Sequence, residues 1–429
     1  MHFAGRMTRS PSLNLWLFVL ALATLSVLYL LQTATPLRLD NDSADYLRMA
    51  AAIADGRSLR AVSLPLGYPV FLALLDRAGL GSSFGFVLAN CFFLGIAVWA
   101  LWTIYDDCPV QLRRVIVLLT LLVTPVVRSV AAPLPEAAFL ATSLLALLAM
   151  KIGVSAEGWS RLRWLATALV LVGVAMTLRL VAVALVPALL WSSLATLHHP
   201  RAEPRPSRRL AAATIVIVLL LAASVVALSR TAIFETYVSQ PRYWYAYGQL
   251  ASPVLRRITG TLGSLGELVL NLPLSRFHNL KPIFVAAGVI AGPGLLFALR
   301  RSVHWTPVRV YLLSYVTILV FWPYDSPRLW MPITPLLVAL LVTIVARYLW
   351  TPPIRPFIVA YAAWFALAGL IAIAYTTRIS LSGEEFARLY GRNGGMASGN
   401  QEGPATGQTM SPYNALADSI LRRYGGTRR

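Results

Sequence analysis

The chain has 429 residues, 58% of them hydrophobic and only 13% charged, with a mean hydropathy of +0.68. A soluble domain carries about 45–50% apolar and about 25% charged residues, so this composition excludes an ordinary soluble fold and fits a bundle embedded in lipid. The net charge of +20 does not mark a nucleic-acid binder, because the arginines stand at the ends of apolar runs rather than on a soluble basic face.

The apolar run Leu13–Leu31 follows Arg6 and Arg9 and reads as an uncleaved signal anchor, since it is long for a signal peptide and further spans follow. Membrane spans are predicted at 13–34, 82–104, 113–130, 135–152, 164–178, 180–195, 210–229, 281–299, 307–323, 329–349 and 356–376. Most of these approach the roughly 17–25 residues that a crossing needs. The stretch 164–195 reads as two short crossings turning at Thr177-Leu178-Arg179, which removes Arg179 from mid-membrane and puts the basic loop around Arg201, Arg205, Arg208 and Arg209 inside. The resulting architecture is an all-α polytopic bundle of about eleven spans, N-terminus cytoplasmic, in what the near-absence of lysine suggests is a bacterial plasma membrane.

Residues 1–376 form the transmembrane domain, with outer loops at 36–80 and 230–280, and 377–429 an extracytoplasmic tail. Short connections bearing Arg113, Arg114, Lys151, Arg161, Arg163, Arg300, Arg301, Arg347 and Arg355 fall on the cytoplasmic side. Within the tail, Gly391–Pro412 has a flexible composition and Tyr413–Tyr424 a weak helical pattern suited to the membrane surface. Cys91 and Cys108 are too far apart in topology to pair.

The first outer loop carries the densest chemistry. Asp40, Asp42 and Asp45 fall within six residues, and Tyr46, Met49, Ala50 and Ile53 follow at the spacing of one apolar helical face. That pattern predicts a helix lying along the membrane surface, ended by Gly56, after which Leu64-Pro65-Leu66-Gly67-Tyr68-Pro69 turns the chain back toward the bilayer. Capping accounts for part of the acidity, with Asp42 as N-cap and Asp45 at N3, but leaves Asp40 unexplained.

An apolar helix, then Asp-x-x-x-aromatic, Ala, Gly and a Pro-Gly-Tyr-Pro-like turn resembles the GT-C superfamily of membrane glycosyltransferases. The narrower likeness is to the group containing protein O-mannosyltransferases and the aminoarabinose transferase of lipid A. The resemblance implies transfer of a sugar, with inversion, from a polyprenyl-phosphate donor to a lipid, glycan or protein acceptor outside the cytoplasm. It implies Asp42 as general base, with Asp40 and Tyr46 in support. Ser43 stands where the family has Glu, which leaves a second carboxylate role, including metal binding, without its residue.

Two further segments carry the likeness. Pro133-Leu134-Pro135-Glu136 precedes a span at the position where the family has an outward acid, although a dipole-stabilised helix start explains Glu136 equally. Ser326-Pro327-Arg328-Leu329-Trp330-Met331-Pro332-Ile333-Thr334-Pro335 is similar to the family's Arg-x-x-x-Pro-x-x-Pro at the start of a late span.

The leaving lipid phosphate needs a cation, and outer-side candidates are Arg179, Arg242, Arg256, Arg257, Lys281 and Arg328, each of which also suits a headgroup anchor. Arg328 stands out, beside Asp325 and inside the family-like motif. His278 is a weak candidate ligand for a divalent cation, whose involvement stays open, and the run from Tyr243 to Tyr247 fits an interfacial aromatic belt. A transporter or flippase for a lipid-linked precursor is the alternative, though its spans would need interior charges that are scarce here. An inactive scaffold of the same fold is the third reading.

Overall fold

The computed structural model describes residues 11–39, 41–59, 64–197, 251–301, 306–321, 327–382 and 419–424. Every regular element among them is helical. Among the described residues seven helices are long and apolar enough to cross a membrane, and an eighth crossing is made if a bent pair counts as one. Three shorter apolar helices accompany them, while the span predicted at 210–229 lies outside the described residues.

The first span, α1 (Pro11–Leu31), contains no charge and leaves most of its surface, Trp16 and Leu20 included, exposed to lipid. The predicted outer-loop helix follows as α2 (Asn41–Ala54). Its end is a Schellman cap, with Arg57 N–H donating to Ala52 O at 2.8 Å, Gly56 N–H to Ile53 O at 3.2 Å, and Gly56 at φ +68°. Rather than lying on the lipid surface, α2 buries Ser43, Ala44, Tyr46, Leu47, Met49 and Ala50 inside the protein. Its partner is α3 (Gly67–Leu75), which follows the Pro-containing turn.

A bent pair, α5 (Val110–Leu121) and α6 (Thr124–Val130), follows α4 (Ser83–Ile104), with an angle of 57° at the break. The expected single span 113–130 therefore divides, because Pro125 supplies no N–H and fits the first turn of a new helix. The central helix is α7 (Glu136–Ser155), buried on nearly every side. It runs parallel to α4, since Asn90 donates to Val130 O and Ala132 O just before the start of α7 and Lys151 donates to Ile104 O at its far end.

Helix α8 (Gly158–Leu178) returns antiparallel to α7 and stops at Arg179, whose backbone is extended, before a 3₁₀ turn leads into α9 (Leu185–Leu197). The division of 164–195 thus falls at the residue where the sequence placed it. Within the segment 230–280, the described part contains α10 (Ala251–Leu270), antiparallel to α11 (Lys281–Arg301), with Gly266 against the Phe284 backbone and Gly288 against that of Leu262. Next come α12 (Pro307–Phe321) and the 3₁₀ turn Pro327–Ile333. After that turn come α13 (Thr334–Ile344) and α14 (Arg355–Leu381).

Candidate functional site

One end of the bundle gathers side chains from four distant parts of the chain. At the start of α7, the Glu136 carboxylate is fully buried and its Oε1 accepts from Arg179 Nη1 at 2.7 Å. The same oxygen stands 3.1 Å from Arg328 Nε, and Arg328 Nη2 pairs with Asp42 Oδ2 in the first turn of α2. The result is a chain of alternating charge, Asp42–Arg328–Glu136–Arg179, with equal numbers of carboxylates and guanidiniums. Exposure is highest at the Asp42 end: the Asp42 side chain is 39% exposed and Arg328 24%, while Glu136 is 0% and Arg179 13%. Asp42 is therefore the member open to a ligand, and Glu136 is sealed beneath it.

Local structure accounts for each placement. Arg328 opens the 3₁₀ turn Pro327–Ile333, whose Leu329 carbonyl accepts from the buried Tyr315 hydroxyl at 2.8 Å and whose Trp330 carbonyl accepts from Thr334 at 2.8 Å. These bonds tie carbonyls that a short turn leaves unpaired. Arg179 reaches Glu136 because α7 and α8 are antiparallel, which sets the end of one beside the start of the other. Gly67 allows the α3 turn to press on that junction, since a Cβ there would lie 2.3 Å from Thr177 Oγ1. Tyr68 follows it, fully buried and edge-on to Tyr46 at 5.3 Å between ring centroids. Burial first, and then the Glu136 carboxylate, push the Tyr68 phenol well above its usual value, so it stays protonated.

The expected N-cap role of Asp42 is replaced. Helix α2 begins at Asn41, so Asp42 lies inside the first turn with its side chain committed to Arg328, and Asp45 pairs with Arg48 at 3.1 Å. Ser43, at the position where a second carboxylate was sought, is fully buried in the helix packing. Tyr46 belongs to the aromatic layer under the ion chain rather than to the chain itself. Lys281 is exposed at the start of α11 and forms no ion pair among the described residues. Asp40 and Arg242 lie outside the described residues, as do the side chains of Arg256, Arg257 and His278. Among the described residues no group of three or more His, Cys, Asp or Glu side chains is placed to hold a metal ion.

Sequence reasoning passed over Arg38 and Tyr315, and took Tyr68 only as part of the turn Leu64–Pro69. Arg38 is buried and donates to Ser380 Oγ at 2.8 Å and to Thr376 O at 3.3 Å, fastening the end of α14 beside the end of α1. An arginine seven residues past the apolar run Leu13–Leu31 was the available signal, since such a cation meets either headgroups or helix carbonyls.

No protein-family model matches the chain, and no curated protein sequence matches it. Among solved structures, the chain is similar to ArnT from Cupriavidus metallidurans bound to undecaprenyl phosphate. The two share 14% sequence identity over 96% of this chain and 86% of that one, with a TM-score of 0.55. At that identity the likeness is one of fold: this chain has the polytopic, all-helical membrane architecture of ArnT.

Proposed function

We propose that the chain is a membrane glycosyltransferase that moves a sugar from a polyprenyl-phosphate donor to an acceptor on the extracytoplasmic side, with Asp42 as general base. The observation that carries this reading is the meeting of Asp42 with Arg328, 286 residues apart in sequence, at the open end of a charge chain on an ArnT-like fold. The undecaprenyl phosphate bound to ArnT supports a carrier lipid of the same chemical kind here.

The chemistry follows from the two exposed members of the chain. An acceptor hydroxyl or amine gives its proton to the Asp42 carboxylate as its oxygen or nitrogen bonds to the anomeric carbon. The bond from that carbon to the donor phosphate oxygen breaks, and the electron pair leaves with the lipid phosphate. Arg328 holds the resulting charge, a task for which a planar guanidinium is suited. A single in-line displacement of this kind inverts the anomeric centre. Before the donor arrives, Asp42 occupies Arg328 Nη2; the donor phosphate takes that place and leaves the carboxylate facing the acceptor. Transfer in excess EDTA decides whether a divalent cation joins the reaction: persistence leaves the ion chain sufficient, and loss adds a metal to it.

The test is transfer from a panel of polyprenyl-phosphate sugars in proteoliposomes, comparing the wild type with Asp42→Asn. Activity with one donor, lost by about two to four orders of magnitude in the variant, fits removal of a general base. An unchanged rate in Asp42→Asn removes that role. No transfer by a folded wild type with any donor, combined with passage of lipid-linked sugar across the membrane, moves the assignment to a flippase. Neither activity leaves Asp42–Arg328 as a strut in an inactive scaffold.

A further inference from the structure

The far end of α2 is tied down by a part of the chain that the reaction does not use. Residues 419–424 form a helical turn whose Arg423 donates from Nη1 to Asp55 Oδ2 at 2.9 Å and from Nη2 to Asp76 Oδ2 at 2.7 Å. Asp55 immediately follows α2, and Asp76 immediately follows α3, so one guanidinium bridges the ends of both outer-loop helices. Beside it, Tyr424 is buried against Phe86 of α4, 5.7 Å between ring centroids, and Ile420 is also buried. Arg77 donates to the Ile53 and Ala54 carbonyls at 3.2 Å each, which closes the end of α2 from the α3 side. Without Arg423, Asp55 keeps only Arg57, at 2.6 Å, and nothing bridges it to Asp76, so the link between the ends of α2 and α3 is lost.

We propose that residues 419–424 are an intramolecular strap that fixes the position of α2, and through it of Asp42, with Arg423 as the positioning residue. The inference rests on the proposed transferase reading for its catalytic consequence but not for its mechanical one. Helix α2 has 14 residues, its first turn holds the base, and its last turn is the part the strap grips. A rigid helix carries a tilt at one end to the other, and small displacements of a base are costly to the rate. Arg423 pairs with Asp55 and Asp76 rather than with the charge chain, so its effect passes through the two helices it bridges, α2 and α3.

The experiment compares full-length wild type, Arg423→Gln and Arg423→Lys in proteoliposomes, reading hydrogen exchange and transfer kinetics on the same samples. In Arg423→Gln, amides of α2 are expected to exchange about tenfold faster while those of α7 stay protected, because only a local unit is released. The kcat falls by about tenfold with the donor KM unchanged, since Arg328 remains in place. Arg423→Lys keeps a charge between the carboxylates and recovers most of both effects. Unchanged exchange in Arg423→Gln overturns the strap, and faster exchange with unaltered kcat overturns the positioning role. If the wild type transfers no sugar, the exchange measurement still decides whether the strap holds α2.

Discussion

Glu136 and Asp42 meet the same guanidinium, yet their surroundings ask different things of a substitution. Glu136 is sealed, with its Oε2 unpartnered among the described residues and its Oε1 shared by Arg179 and Arg328. Glu136→Ala leaves two guanidiniums without their common anion in a largely dry site, at a cost of about 3–5 kcal/mol. Thermal and denaturant unfolding in detergent measures this. Asp42 is far more exposed, and Asp42→Asn is expected to cost less than about 1 kcal/mol while abolishing transfer. A folded, unaltered Glu136→Ala would mean that the buried end of the chain is wet. Asp42, Glu136 and Arg328, which the structure brings together, were each singled out in the sequence by the acidic cluster or the family-like motif around it. The Arg179–Glu136 pair was not, since it depends on the antiparallel register of α7 and α8, and neither residue's own neighbourhood encodes that.

Helices were legible to the extent that their apolar runs were continuous. The division at Arg179 could be read because a lone cation at mid-span is costly. By contrast, the break between α5 and α6 was missed, although Thr124-Pro125 marks it, because hydropathy is blind to a bend. That break leaves polar backbone groups inside the protein, and Asn271 supplies partners for them. Its Oδ1 accepts from Thr124 N–H at 2.8 Å, and its Nδ2 donates to Leu122 O and Phe365 O, both at 2.9 Å. Thr124 Oγ1 completes the contact by donating to Asn271 O at 2.8 Å. Asn271 is itself in the left-handed region at φ 56°, which Asn tolerates better than most residues. Asn271→Ala removes the partner of Thr124 N–H and Leu122 O at the break, Phe365 O keeping its bond within α14, and is expected to cost at least about 2 kcal/mol, at roughly 1–3 kcal/mol per group. Asn271→Asp keeps the acceptor and loses the donor, so it falls between the two in a detergent melt. The strap on α2 adds an element-scale pH dependence. Hydrogen bonds from Arg423 and then Arg57 hold the Asp55 carboxyl below its usual value, with Asp76, Arg77 and Tyr424 the other ionisable groups nearby. A lowered carboxylate pKa contributes stability that is full above the ordinary Asp value of about 3.9 and lost as pH falls below it. Protection of α2 should thus be flat from neutral pH down to the mild acid range and drop below it, with Arg423→Gln shrinking the step to the part that Arg57 supplies.

At the scale of the whole molecule, the charge chain, α2, α3 and residues 419–424 occupy one end of the bundle. Thr377 donates to Leu28 O at 3.3 Å, so α14 and α1 both finish at that same end. The opposite end holds Lys151, paired with Asp106 and Asp107, together with Arg113 over the Trp102 ring at 4.5 Å and Arg355 over the Trp350 ring at 5.2 Å. Its connections are short and basic, the kind that stays in the cytoplasm. The proposed reaction needs that orientation, because a site at the other end would face the opposite leaflet and a different pool of carrier lipid. Cys108 lies in the short connection before α5 and reports the sidedness directly. Burial raises its thiol above the usual value, so modification is slow near neutral pH and quickens as pH rises. A membrane-impermeant maleimide should leave Cys108 unmodified in intact spheroplasts and modify it after permeabilisation, with Cys91 inside α4 untouched in both. A cysteine placed by Arg57→Cys in a Cys108→Ser background should show the converse, reacting in intact cells, since Arg57 is exposed just past α2. Modification of Cys108 from outside would turn the bundle over, put Asp42 in the cytoplasm, and leave the fold as described but the extracytoplasmic acceptor untenable.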